Sequence, residues 1–84
     1  MKRKIAVITF TDASLNVADR ICSGLEGAYR YDNRQVAGGV KSQMGSLFET
    51  CDGIVFVCAV GIAVRLIAPC LQDKTKDPAV VAVD

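Results

Sequence analysis

Apolar residues along this chain fall into three unbroken runs and two helical stripes. The runs are Lys4-Ile-Ala-Val-Ile-Thr-Phe10, Gly53-Ile-Val-Phe-Val-Cys-Ala59 and Ala79-Val-Val-Ala-Val83. Continuous rather than alternating burial, with many β-branched residues, predicts strands covered on both faces, as in a parallel sheet. Leu15, Ala18, Ile21, Cys22 and Leu25 recur at helical spacing, with Thr11 and Asp12 placed to cap that helix and Gly27 to end it. Val40, Met44, Leu47, Phe48 and Cys51 form a second stripe, which Gly45 weakens by about 1 kcal/mol. Between the stripes, Tyr29 and Tyr31 alternate with Arg30 and Asp32, as on a half-exposed strand, while Asp32-Asn33 also reads as a turn. Gly38-Gly39 breaks the chain. After the second run, Gly61 predicts a tight turn, residues 62–68 a third helix that Pro69 interrupts, and residues 72–78 a polar loop.

The resulting order, β-α-β-α-β-α-β, predicts an α/β fold with right-handed crossovers. We expect a three-layer α/β/α sandwich with a mostly parallel four-stranded sheet in the flavodoxin-like order 2-1-3-4. Residues 1–84 read as a single domain without repeats or linkers. The last run is of the buried type, yet no covering element follows it. That predicts the amino-terminal part of a longer protein, or burial against a partner.

Composition narrows the chemistry. Hydrophobic residues make up 51% and the formal net charge is +1, so no overall field favours nucleic acid. Lys2, Arg3 and Lys4 read as a solvated terminus. With no histidine, acid–base work falls to a carboxylate, Tyr, Lys or perturbed Cys, and a histidine metal site is excluded. Cys22, Cys51, Cys58 and Cys70 form no C-x-x-C pair and fit no zinc spacing; they read as small buried hydrophobes in a reducing cytoplasm. The run at 5–10 is too short for a signal peptide. Residues 53–72 have the length of a membrane span, but Gly61, Pro69 and Arg65 argue against one; a central Arg costs about 2.5–3.5 kcal/mol on insertion. A cytoplasmic chain without membrane partners is expected.

Arg65 is the only charge between Asp52 and Asp73. Such a charge is costly unless solvated, paired or bound to a ligand. Ligands of open parallel sheets bind beyond the carboxyl ends of the strands, here at residues 9–14, at residues 59–65 and near Asp84. Gly61 would admit a ligand close to the backbone, helix amides beyond it would face an anion, and Arg65 would add a bidentate contact to carboxylate or phosphate. Pairing of Arg65 with Asp73 or Asp77, to pin the loop, is equally open. Asp12 reads as a helix cap, Asp73 and Asp77 as loop formers, Lys74 and Lys76 as solvated, and Tyr29 and Tyr31 as cover for the sheet edge. No nucleophile–base pair and no nucleotide motif is present.

The string Ala59-Val-Gly-Ile-Ala-Val-Arg-Leu-Ile-Ala-Pro69, followed by Asp73-Lys74 and Asp77-Pro-Ala-Val-Val81, resembles the amino-terminal domain of the cobalt-precorrin-5A hydrolase family of the anaerobic cobalamin pathway. The opening Ile-Ala-Val-Ile-Thr-Phe-Thr11 and Leu47-Phe48 extend the likeness. The resemblance implies opening of the ring A acetate δ-lactone of a cobalt-corrinoid, with release of acetaldehyde. It implies a carboxylate-rich macrocycle as substrate and names no catalytic residue; on the sequence reading Gly61, Arg65, Lys74 and Lys76 would together bind carboxylates, and Thr11, Asp73 and Asp77 complete the expected binding residues. Cobalt would be carried by the substrate, and the chain would hold no cofactor. The family continues into a Gly-His-rich loop and a carboxy-terminal domain, which would be the partner, so this chain alone is expected to be inactive or only partly competent. A competing reading is a structural module whose 59–81 string packs on that domain. A flavodoxin-like or receiver-like binding domain is a third, although a receiver wants Asp where Ala59 stands. An uncovered sheet edge also predicts a homo-oligomer for the isolated chain.

Overall fold

Ile5, Val7 and Thr9 point to one side of the first strand and Ala6 and Ile8 to the other, and both sides are needed, because helices lie on both. The computed structural model describes residues 3–71 and 77–83. Its elements are β1 (Ile5–Thr9), α1 (Asp12–Gly24), β2 (Ala28–Asp32), α2 (Met44–Thr50), β3 (Gly53–Val57), α3 (Val60–Ile67) and β4 (Ala79–Ala82). Single 3-10 turns, Val40–Gln43 and Ala68–Cys70, precede α2 and follow α3. All strand pairs are parallel, in the order β2-β1-β3-β4, with Ile5 of β1 opposite Ala28 of β2 and Gly53 of β3. The α/β/α layering and the 2-1-3-4 order are those expected from the sequence.

Right-handed crossovers explain the layers. From β1 the chain moves to one side to reach β2, then reverses to reach β3 and β4, so α1 falls on one face and α2 and α3 on the other. The larger core joins Ala6, Ile8, Ile54 and Phe56 of the sheet to Val40, Met44, Leu47, Phe48 and Ala63. The smaller core joins Val7 and Val57 to Ala18, with Ile21 and Cys22 at its margin. Phe56, Ile8 and Ile54 are fully buried.

Several expectations are corrected. Helix α1 stops at Gly24, and Leu25 lies exposed beyond the stripe. Gly27 is no helix terminator; it turns the chain into β2 with φ +83°, and a Cβ there would collide with the Arg3 carbonyl. The Asp32-Asn33 turn and the 28–32 strand both exist, in sequence. Gly61 does not make a tight turn. Ala59 (φ −61°, ψ 140°) turns the chain, and Gly61 already lies in the first turn of α3, which starts two residues earlier than the apolar pattern suggests. Strand β4 was expected to be covered on both faces, yet its residues alternate between exposed and half-buried.

Candidate functional site

The carboxyl edge of the sheet is built by the segments leaving β1, β2 and β3. Thr11 occupies the N-cap position of α1, but its hydroxyl bonds no helix amide. It lies 2.9 Å from the Ser14 hydroxyl instead, and Ser14 donates to the Val57 carbonyl at 3.2 Å. This chain of contacts ties the β1–α1 turn to the end of β3, three residues before α3 begins.

Beside it sits an ionic cluster that sequence reasoning missed. Asp32, the last residue of β2, is buried, with its side chain 3% exposed. Arg34 grips its carboxylate through Nε and Nη2 and adds its backbone N–H to Oδ1 at 2.9 Å. These contacts hold the Asp32 carboxyl down to about 2, although burial acts in the opposite sense. Arg34 also reaches Asp12 at 3.0 Å. Asp12 is therefore a bridge between α1 and the β2 turn rather than a helix cap. Two carboxylates face one guanidinium, so Arg34 is already neutralised and serves the fold more than an incoming anion. The only sequence signal was an Asp and an Arg two residues apart after a strand.

The other predicted residues separate. Gly61 and Arg65, four apart, share one side of α3. A Cβ at Gly61 would meet nothing within 4 Å, so packing does not require glycine there. Arg65 is exposed and takes part in none of the ion pairs among the described residues. Around it α3 shows water Val60 (54% exposed), Ile62 and Val64 (52%), and Leu71 follows at 55%. No side chain caps α3, and its Ile62 amide donates to the Ala59 carbonyl at 3.0 Å. Asp77 leads into β4 and so lies at the amino edge, across the sheet from Thr11 and Gly61. Asp73 and Lys74 fall outside the described residues.

The aromatic pair stacks edge to face, with Tyr29 and Tyr31 centroids 5.1 Å apart and Lys4 Nζ 5.8 Å above Tyr29. Burial pushes both phenols up. The four cysteines are free thiols; burial, followed by Asp19, raises Cys22. Among the described residues no group of acidic or thiol side chains is arranged to hold a metal. No helix among them is long and apolar enough to cross a membrane.

Residues 42–84 match the family described as cobalamin synthesis G N-terminal. The chain belongs to this family. Its matched segment runs from the 3-10 turn before α2 through β4, and so contains the whole exposed face of α3. A cobalt-precorrin-5A hydrolase from Priestia megaterium is 46% identical over 48 residues, covering 57% of this chain and 13% of that protein. Another, from Salmonella typhimurium (strain LT2), is 45% identical over 47 residues, covering 56% of this chain and 13% of the relative. The chain therefore spans a small part of the length of these relatives. The fold also matches a crystal structure of a cobalamin biosynthesis protein G homolog from Sulfolobus solfataricus. The TM-score is 0.78 at 23% identity, over all of this chain and 26% of the other.

Proposed function

We propose that this chain is the amino-terminal domain of a cobalt-precorrin-5A hydrolase in anaerobic cobalamin biosynthesis, where it helps bind a cobalt-corrinoid whose ring A δ-lactone is opened with loss of acetaldehyde. The likeness to relatives of that name over the segment containing α3 carries this reading. The exposed face of α3 supports it chemically. A corrinoid offers apolar ring surface rimmed by carboxylates. Val60 and Val64 offer apolar contact, and Arg65 offers a guanidinium suited to a carboxylate. The amide dipoles at the start of α3 favour the same charge.

In this reading the chain binds and orients. Thr11 and Gly61 belong to the same edge, and Lys74 and Asp73 to the loop beyond α3. Cobalt arrives with the substrate, and the groups that activate water belong to the polypeptide beyond this domain. The setting is the cytoplasm. The experiment is acetaldehyde release by the full-length enzyme carrying Arg65→Ala or Lys74→Ala. Raised KM with intact folding supports the site; unchanged turnover in both variants sinks it.

A second reading has its own observation. Val60, Ile62 and Val64 of α3, and Leu71 after it, are four large apolar side chains left about half exposed, which suits docking against protein. On this reading α3 packs on the carboxy-terminal domain, or on another copy of the chain, and carries no substrate. Corrinoid binding by the domain, seen as a shift in the corrinoid spectrum, would count against it.

A further inference from the structure

We infer that the β3–β4 half of the sheet face beside α1 is the seat of an apolar helix that returns across the sheet from the polypeptide following this domain. The inference rests on reading the chain as the amino-terminal domain of a longer protein, and it concerns a surface on the opposite side of the sheet from α3.

Helix α1 covers β1 and β2 but reaches β3 only at Val57 and Val55. On that face β4 contributes Ala79, exposed, and Val81, 53% exposed. A groove of about 210 Å³ opens there, with Ile5, Gly53 and Ala79 along its wall and Arg3 and Asp52 at its rim. Asp52 is fixed by the Lys4 backbone N–H at 2.8 Å, so the rim is part of the fold. The strand itself, Ala79-Val-Val-Ala-Val83, carries no charge and no proline. Parallel sheets are found almost only with both faces covered, and an edge left to water is normally protected by charge, proline or a bulge. Asp77 and Pro78 stand before this one, and residues 79–83 carry none of these protections.

The crossover rule says which element can cover it. A further strand added beyond β4 by a right-handed crossover would carry its helix to the α2–α3 face and leave the half beside α1 bare. Within the same polypeptide, the bare half beside α1 is reached by a helix that turns back toward β1. The matched family is an amino-terminal domain, and this chain spans 13% of its curated relatives and 26% of the solved homolog. Ample polypeptide therefore follows it in those proteins. The occupant is an amphipathic helix whose apolar stripe meets Ile5, Val55 and Val81.

The test is cysteine alkylation of the full-length protein, read peptide by peptide by mass spectrometry. Val81→Cys is compared with Glu49→Cys on the exposed side of α2. The seat predicts that residue 81 reacts at least about tenfold more slowly than residue 49, at all protein concentrations. Equal rates overturn the proposal. Protection that disappears on dilution also overturns it, since a second copy would then be the cover. Hydroxyl-radical footprinting of Val81 in the unsubstituted protein gives the same reading if the variant fails to fold. Acetaldehyde release is not involved, so this test fails or succeeds separately from the catalytic reading.

Discussion

Arg34 holds the Asp32 carboxylate with two side-chain hydrogen bonds, Nε to Oδ1 at 3.1 Å and Nη2 to Oδ2 at 2.8 Å. The pair closes the turn after β2, and its contact with Asp12 fastens that turn to the start of α1.

Asp32→Asn is expected to lower the urea midpoint at pH 7, because a buried acceptor of a charged donor loses its charge. The pH dependence has a definite sign. The folded Asp32 titrates near 2 against an ordinary 3.8, so its stabilisation is complete above about pH 4 and is lost as pH falls through 2. The midpoint difference between wild type and variant should therefore be constant from pH 7 to about 4 and narrow below it. A difference that widens on acidification would contradict the assignment.

Gly27→Ala should destabilise the domain by at least about 2 kcal/mol, since it combines a left-handed backbone with overlap on the Arg3 carbonyl. Gly24→Ala is the natural contrast. Its Cβ would meet nothing within 4 Å, and a helix-terminal alanine should be neutral or gain a few tenths of a kcal/mol. Thermal melts of the two variants check the pair.

Phe56→Ala should cost about 3–5 kcal/mol, because Phe56 is fully buried in the larger core beside Ile54 and Ala63. A domain of this size has little stability to spare, so loss of cooperative unfolding in a denaturant titration is the expected signature.

Much of the architecture was legible in the chain. The runs at 4–10 and 53–59 read as strands buried on both sides, which β1 and β3 are, and the crossover rule then restricts their order. Strand β4 misled in one respect. Apolar residues state that a strand wants cover, but not whether the cover lies within the same stretch of chain. Gly61 misled because glycine is associated with turns, whereas Ala59 redirects the backbone without any polar or glycine signal. The Asp12–Arg34–Asp32 cluster was hidden for a different reason. It depends on a turn and on a helix start twenty residues away, and sequence spacing does not report how such segments meet. For the site, Arg65 was visible as an isolated charge, and its exposure on α3 agrees with a solvated or ligand-facing role. The opposition of Asp77 to Thr11 and Gly61 across the sheet required the topology.

The central position of β1 has a consequence for synthesis. Its register partners are Ala28 and Gly53, so Ile5 waits for residues 23 (28 − 5) and 48 (53 − 5) positions later in the chain. During translation β1 therefore stays open on one side after β2 has formed, and it gains its second neighbour only with β3. Until β3 emerges, Ala6, Val7 and Ile8 remain an unpaired apolar edge. A nascent chain halted near residue 50 should therefore be far more prone to chaperone capture and aggregation than one released after β3 has formed.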